Sequence, residues 1–465
     1  VIKKLGTTKL KIATLLLILI FFSACMWNWY DVSIFENWVK ASEYTKLYKI
    51  YEVPLLLGNL SYRVVYPPIP PLIYIATRYL TDLVVNAVAS AGQAVPAIGS
   101  ALGTVVNYVL RISLKLPLLI FTVGLAILLW KKLGSEAFYW TLAGVPTIVT
   151  LATYQFDPLV AFFLYLAVVG LDIPRAGLYI TSLATALVVL TKPLAVVALL
   201  PLIYYLYKKD GIKSLIEYLA VSSAVTAVVI LPFFLVNPYA FIFNVLSFHS
   251  ERPPQYVSLW NIFVLLSDRN PEVVKVVNVV WLPILLIAIS AVLLLLRKNL
   301  DSGDKDDVVL VSLIIVLTIL TFNKVVNPNY LLWAYPLVIH LAFSRRFKLR
   351  GVLVMYNVAA ILATLWSGLY MLIPALVNDV VVIEETGELI PAREIIWKSL
   401  DSPLNETVRG LVKIGEEYYN YVKIVETYTN VLGAIIISAY SFVMLYLAVT
   451  LIRLYTNAGR SPRQI

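Results

Sequence analysis

Long apolar runs recur along the chain and are separated by short charged breaks. They fall at 12–30, 116–130, 137–153, 158–171, 177–191, 194–207, 214–236, 276–296, 308–322, 330–343, 351–375 and 431–452. A membrane span needs roughly 20 apolar residues, and fewer when it is packed inside a bundle. The pattern therefore predicts an all-α polytopic membrane protein, a bundle of about twelve transmembrane helices with extracytoplasmic loop helices. The segment 69–110 is apolar but rich in Gly, Ala, Pro and Ser, and it carries Arg78 and Asp82. It either crosses twice or lies along the interface without crossing.

The charged breaks orient the spans. With the N-terminus inside and no net crossing by 69–110, every inside loop is short and basic. Lys131 and Lys132, then Lys208, Lys209 and Lys213, Arg297 and Lys298, and Arg345, Arg346, Lys348 and Arg350 all fall on that side, as the positive-inside rule requires. The expected location is a cell membrane, multi-pass, with both termini cytoplasmic. Lys3, Lys4, Lys9 and Lys11 precede an apolar run that ends in Trp27, Trp29 and Tyr30, which reads as an uncleaved first span with an aromatic belt. The outer face carries loops 31–115, 237–275 and 376–430, the last acidic.

Composition agrees: the chain is 60% hydrophobic with a mean hydropathy of +0.85, more oil than a soluble core of 465 residues needs. The net charge of +10 is dispersed at span ends, so nucleic acid is not expected as a partner, whereas membrane lipids are. One cysteine and two histidines exclude a disulfide framework and a Cys/His zinc cluster.

Chemistry-bearing side chains gather at the outer mouths of the spans. Asp31 follows span one. "RVVYPPIPPLIY" offers Arg63 and Tyr66, and "TYQFDPLVAF" offers Gln155 and Asp157. "LTKPLA" carries Lys192, "SFHSERPPQYVSLW" carries His249 and Arg252, and "FNKVVNPNYLLWAYP" carries Lys324 and Tyr330. Each has a plainer reading. Asp31 and Asp157 are ordinary helix starts, Lys192 in a tight turn is as readily a solvated charge, His249 an exposed loop residue, and the aromatics are interface anchors. Their joint placement on one face favours a site for an anionic, lipid-borne substrate. Bases there suit a phosphate, and a carboxylate suits removal of a proton from a hydroxyl. A lipid or small-molecule transporter is the alternative, although the mid-span positions are almost free of charge.

The order of these motifs resembles the GT-C superfamily of polyprenyl-phosphate-sugar-dependent glycosyltransferases, in particular the mannosyltransferases of GPI-anchor assembly and their prokaryotic, including archaeal, relatives. "FNKVVNPNYLLW" is the most specific element, and the resemblance spans about residues 25–340. It implies a catalytic transmembrane module over 1–343, with C-terminal helices and the acidic loop over 344–465. It also implies inverting transfer of a hexose, mannose by the nearest branch, from a polyprenyl-phosphate sugar donor to a hydroxyl on a glycan, lipid or protein acceptor. Asp31 would be the catalytic base. Lys192, His249, Arg252 and Lys324 would hold the donor phosphate, and Tyr66, Gln155, Asp157 and Tyr330 the sugar or acceptor. Relatives often carry an Asp-x-Asp pair here, but Asp31 has Trp29 and Ser33 at the two-residue spacings. One carboxylate is a poor site for a hard cation, so neither a cofactor nor a metal site is expected.

Overall fold

The computed structural model describes residues 16–17, 29–54, 63–92, 109–110, 112–267, 270–301, 303–376, 380–382, 389–391 and 419–458. The architecture is all-α. Most of the expected first span, 12–30, and most of the acidic loop, 376–430, lie outside the described residues.

The chain enters through α1 (Trp29–Tyr44), with Asp31 in its first turn. Val32, Phe35, Trp38 and Val39 are buried at helical spacing, so one stripe of α1 faces inward. It packs on α2 (Ile69–Gly92), where the Phe35 ring stacks on Tyr74 with centroids 3.9 Å apart. The ambiguous segment thus begins as one continuous helix, and residues 93–108 fall outside the described part.

The bundle follows as α3 (Leu116–Leu133), α4 (Ser135–Ala143), α5 (Val145–Ala152), α6 (Asp157–Val169) and α7 (Gly177–Val189). The expected run 137–153 is split between α4 and α5 at Gly144. A Cβ at that position would overlap the Tyr335 hydroxyl, which donates to the Trp140 carbonyl at 2.8 Å. A 3₁₀ turn, Pro193–Leu199, leads into α8 (Leu200–Phe234). Gly211 breaks α8 with φ 81°, a left-handed conformation that glycine adopts without penalty. This break separates the predicted runs 194–207 and 214–236.

Next come α9 (Pro238–Ile242), a π turn over Phe243–Ser247, and α10 (Phe248–Glu251). Strand β1 (Gln255–Tyr256), α11 (Leu259–Leu266), α12 (Pro271–Leu300) and α13 (Lys305–Phe322) follow. Strand β2 (Val325–Val326) pairs in parallel with β1, Gln255 opposite Val325. The chain closes with α14 (Leu331–Phe343), α15 (Arg350–Leu376), the antiparallel pair β3 (Val380–Val382) and β4 (Leu389–Pro391), and α16 (Tyr419–Ala458).

Helices α6, α13 and α14 are apolar on all sides and buried almost throughout, as a helix at the centre of a bundle must be. The α3, α7, α8, α12, α15 and α16 helices pack around them. Among the described residues, five stretches are long and apolar enough to cross a membrane: Leu116–Leu133, Pro193–Phe234, Pro271–Lys298, Arg350–Leu369 and Tyr428–Thr456. The shorter expected spans are helices held among these. In lipid their association rests on close packing rather than on escape from water.

The two ends of the bundle differ. At one end, Asp172 accepts from Lys132 and Lys305, Arg346 pairs with Asp304 and Asp307, and Arg350 pairs with Glu136. Burial pushes the Asp172 carboxyl up, but the Lys132 and Lys305 hydrogen bonds outweigh it and leave the group below the usual range. These are loops that the charge pattern places on one side. The residues singled out for chemistry lie at the other end.

Candidate active site

Two sharp turns aim the central side chains. Pro158 starts α6 and leaves Asp157 in its first turn, a favoured place for an acid. The preceding Tyr154 has φ 59°, strained for a residue with a side chain. Pro193 forces Lys192 into extended backbone (φ −145°, ψ 97°), which ends α7 and turns the lysine inward. Lys192 is only 5% exposed, so the solvated-turn reading fails.

Lys192 Nζ donates to Asp157 Oδ1 at 2.8 Å, and Trp333 Nε1 donates to the same oxygen at 2.6 Å. Asp157 is fully buried and its Oδ2 has no hydrogen-bond partner. Aromatic rings surround the ammonium: Tyr330 at 4.2 Å, Phe156 at 4.7 Å and Trp333 at 5.4 Å from their centroids. Tyr330 and Trp333 are three residues apart on one helical face, and they stack with centroids 4.5 Å apart.

Lys192 opens onto a cavity of about 280 Å³ that is also lined by Tyr66, His249, Arg252, Lys324 and Trp281. The rest of the lining is mainly apolar, including Pro193, Leu194, Val245 and Leu246. Among the described lining residues there are three cations and no Asp or Glu. The β1–β2 pairing builds this wall by joining the Arg252 loop to the Lys324 segment. The Ser258 hydroxyl donates to the Asn323 carbonyl at 2.8 Å, and Trp260 Nε1 donates to the Phe322 carbonyl at 2.7 Å. Lys324 Nζ donates to the Ser250 carbonyl at 2.7 Å and to Asn278 Oδ1 at 2.9 Å, and Arg252 donates to Gln255 Oε1.

Asp31 does not line the cavity. It is 6% exposed, and its Oδ1 accepts from Gln155 Nε2. Tyr66 joins the two regions. Its ring meets Phe156 edge-on at 4.7 Å and His249 at 5.4 Å, and its hydroxyl lies within the electrostatic reach of Asp31, Asp157, Tyr330 and Arg252. Burial, more than those neighbours, raises its pKa well above the ordinary phenol value, so it stays protonated.

His249 is half-buried, not an exposed loop residue. Its Nε2 lies 2.9 Å from the Val65 carbonyl, which accepts, so Nε2 carries the proton. Burial, then Arg252, Lys192 and Arg63, push its pKa down to about 4, and it is neutral at neutral pH. Arg63 is wedged between the Phe243 and Phe248 rings and donates to Asn244 Oδ1 at 2.9 Å, which pins the first loop to the π turn. No group of three or more metal-ligating side chains occurs among the described residues.

The fold thus brings Tyr66, Lys192, His249, Arg252, Lys324 and Tyr330 around one cavity. Asp157 lies directly behind Lys192, and Asp31 and Gln155 sit to one side. Sequence reasoning gave no role to Trp333, Trp281 or Asn278. Trp333 was legible as the residue three beyond Tyr330. Asn278 was legible as a lone amide in an apolar run, which needs a partner in a membrane. Trp281 had no such signal.

The sequence matches no family model and no curated protein. Among solved structures it is similar to ArnT from Cupriavidus metallidurans bound to undecaprenyl phosphate. The identity is 15%, the TM-score 0.42, and the match covers 97% of this chain and 77% of that one.

Proposed function

We propose that the chain is a membrane glycosyltransferase of the GT-C type. It moves a hexose, mannose by the motif resemblance, from a polyprenyl phosphate to a hydroxyl acceptor with inversion. The observation that carries this is the cavity: among its described lining residues, three cations, no Asp or Glu and otherwise mainly apolar and aromatic side chains fit a phosphate attached to a hydrocarbon. Residues 1–343 form the catalytic module, and the cavity end of the bundle is extracytoplasmic because the opposite end collects the basic loops.

In the reaction, Asp31 takes the acceptor proton as the acceptor oxygen bonds to the anomeric carbon. The bond from that carbon to the phosphate oxygen breaks, and its electron pair leaves with the lipid phosphate. The phosphate gains a second negative charge, which Lys192, Arg252 and Lys324 stabilise. The Gln155 amide holds the Asp31 carboxylate in place. Asp157 keeps Lys192 directed by pairing with it, and Tyr330 and Trp333 wall the ammonium.

The test is transfer of label from radiolabelled polyprenyl-phosphate mannose by the purified protein in vesicles. Lipid, glycan and peptide hydroxyls are offered as acceptors. Arg252→Ala or Lys324→Ala should slow transfer by about 10²-fold, the scale of losing one transition-state donor. Label that crosses the bilayer without any change of chemical partner would establish a transporter instead.

A further inference from the structure

His249 is grouped with the phosphate-binding bases by its position, but its chemistry is different. Its one N–H is committed to the Val65 carbonyl. The other ring nitrogen, Nδ1, is then an acceptor with a lone pair and no proton. A polyprenyl-phosphate sugar is a phosphodiester monoanion, whose phosphate has acceptor oxygens and no O–H. Two acceptors do not bond. The cations Arg252, Lys192 and Arg63 around the ring oppose the second proton that would turn it into a donor.

The position of the ring indicates its partner. His249 lines the cavity together with Arg252 and Tyr66, its ring 5.4 Å from that of Tyr66. Tyr66 in turn reaches Phe156 and lies in the field of Asp31 and Asp157. A donor whose phosphate sits among the cations and whose anomeric carbon faces Asp31 must lay its sugar past this pair of rings. The sugar offers what Nδ1 lacks, an O–H donor.

We infer that His249 is a specificity-determining residue that accepts a hydrogen bond from a hydroxyl of the donor sugar through Nδ1. This deepens the proposed function and rests on it. The Tyr66 hydroxyl, protonated and carried on a ring 5.4 Å from that of His249, adds a second polar group to this wall. Discrimination among hexoses follows, because a buried acceptor left without its hydroxyl is costly.

The experiment measures binding of two ligands without any acceptor: polyprenyl phosphate and polyprenyl-phosphate mannose, with monodeoxy analogues of the latter. His249→Phe keeps a flat ring and removes both nitrogens. It should weaken the sugar-bearing ligand by about tenfold, the scale of one hydrogen bond, and leave polyprenyl phosphate within about twofold. Unchanged phosphate binding also shows that the variant is folded. The wild type should lose the same factor for one deoxy analogue, while His249→Phe should not distinguish that analogue from mannose. His249→Gln, which retains a donor and an acceptor, should recover part of the loss. Equal weakening of both ligands would return His249 to a phosphate or folding role and overturn the inference. Undiminished sugar binding would overturn it too. A wild-type protein that binds polyprenyl phosphate but gains nothing from the sugar overturns it while leaving the phosphate site standing. Binding of neither ligand removes the proposed function, and this inference with it.

Discussion

Asp157 gives one oxygen to Lys192 and Trp333 and keeps the other buried without a donor. Any contact it makes with a sugar must therefore pass through Lys192. Removing one member of such a pair leaves a buried charge uncompensated. Asp157→Ala should lower stability by about 3–5 kcal/mol, whereas Asp157→Leu with Lys192→Met should recover most of it without recovering transfer. Unfolding of the three proteins in detergent measures the difference; an Asp157→Ala protein as stable as wild type would contradict the pairing. His249 gives a pH signature. Its folded pKa, about 4, lies below the ordinary value near 6.5, so the folded state disfavours the proton. Its contribution to stability is complete above about pH 6.5 and is lost as pH falls toward about 4. His249→Gln does not titrate, so the melting temperature of wild type relative to His249→Gln should fall over that window. A flat difference would mean that the ring is solvated.

At the scale of elements, period and punctuation were legible because they are local. The apolar runs became helices, and Pro158 and Pro193 marked the turns that place Asp157 and Lys192. Juxtapositions were not legible, because they depend on packing between distant segments. Nothing in "RPPQY" or "FNKVV" announces a parallel bridge between Gln255 and Val325, yet that bridge forms the cation-lined wall. The split at Gly144 was also hidden, since its cause is Tyr335, which is remote in sequence. Gly144→Ala must displace that ring or its bond to the Trp140 carbonyl. It should cost about 1–3 kcal/mol, as overpacking does. Donor binding should be unchanged once the protein is folded. Equal thermal stability of Gly144→Ala and wild type would show that the contact yields easily.

At the scale of the molecule, the division into two unlike ends came from charge alone, and the ion pairs among Lys132, Asp172 and Lys305 bring those loops together as expected. Single cysteines at the exposed positions 239 or 263 should be labelled from outside sealed cells, and Arg345→Cys should not be. The reverse pattern would put the cavity on the wrong side for the proposed reaction. A lipid tail fixes the height of its phosphate, so the reactive carbon cannot rise far above the interface. The proposed function needs its base at that height; Asp31 is in the first turn of α1, and rigid elements position such groups better than loops do. The most direct measurement is therefore sugar transfer by Asp31→Asn. Asn has the shape of Asp and keeps an oxygen for the Gln155 amide, but lacks the carboxylate's charge and its capacity to take the proton. Transfer from purified polyprenyl-phosphate mannose should fall by about 10²-fold or more while donor binding survives. An Asp31→Asn protein with near-normal transfer would contradict the account and leave Asp31 as a helix start at the membrane surface.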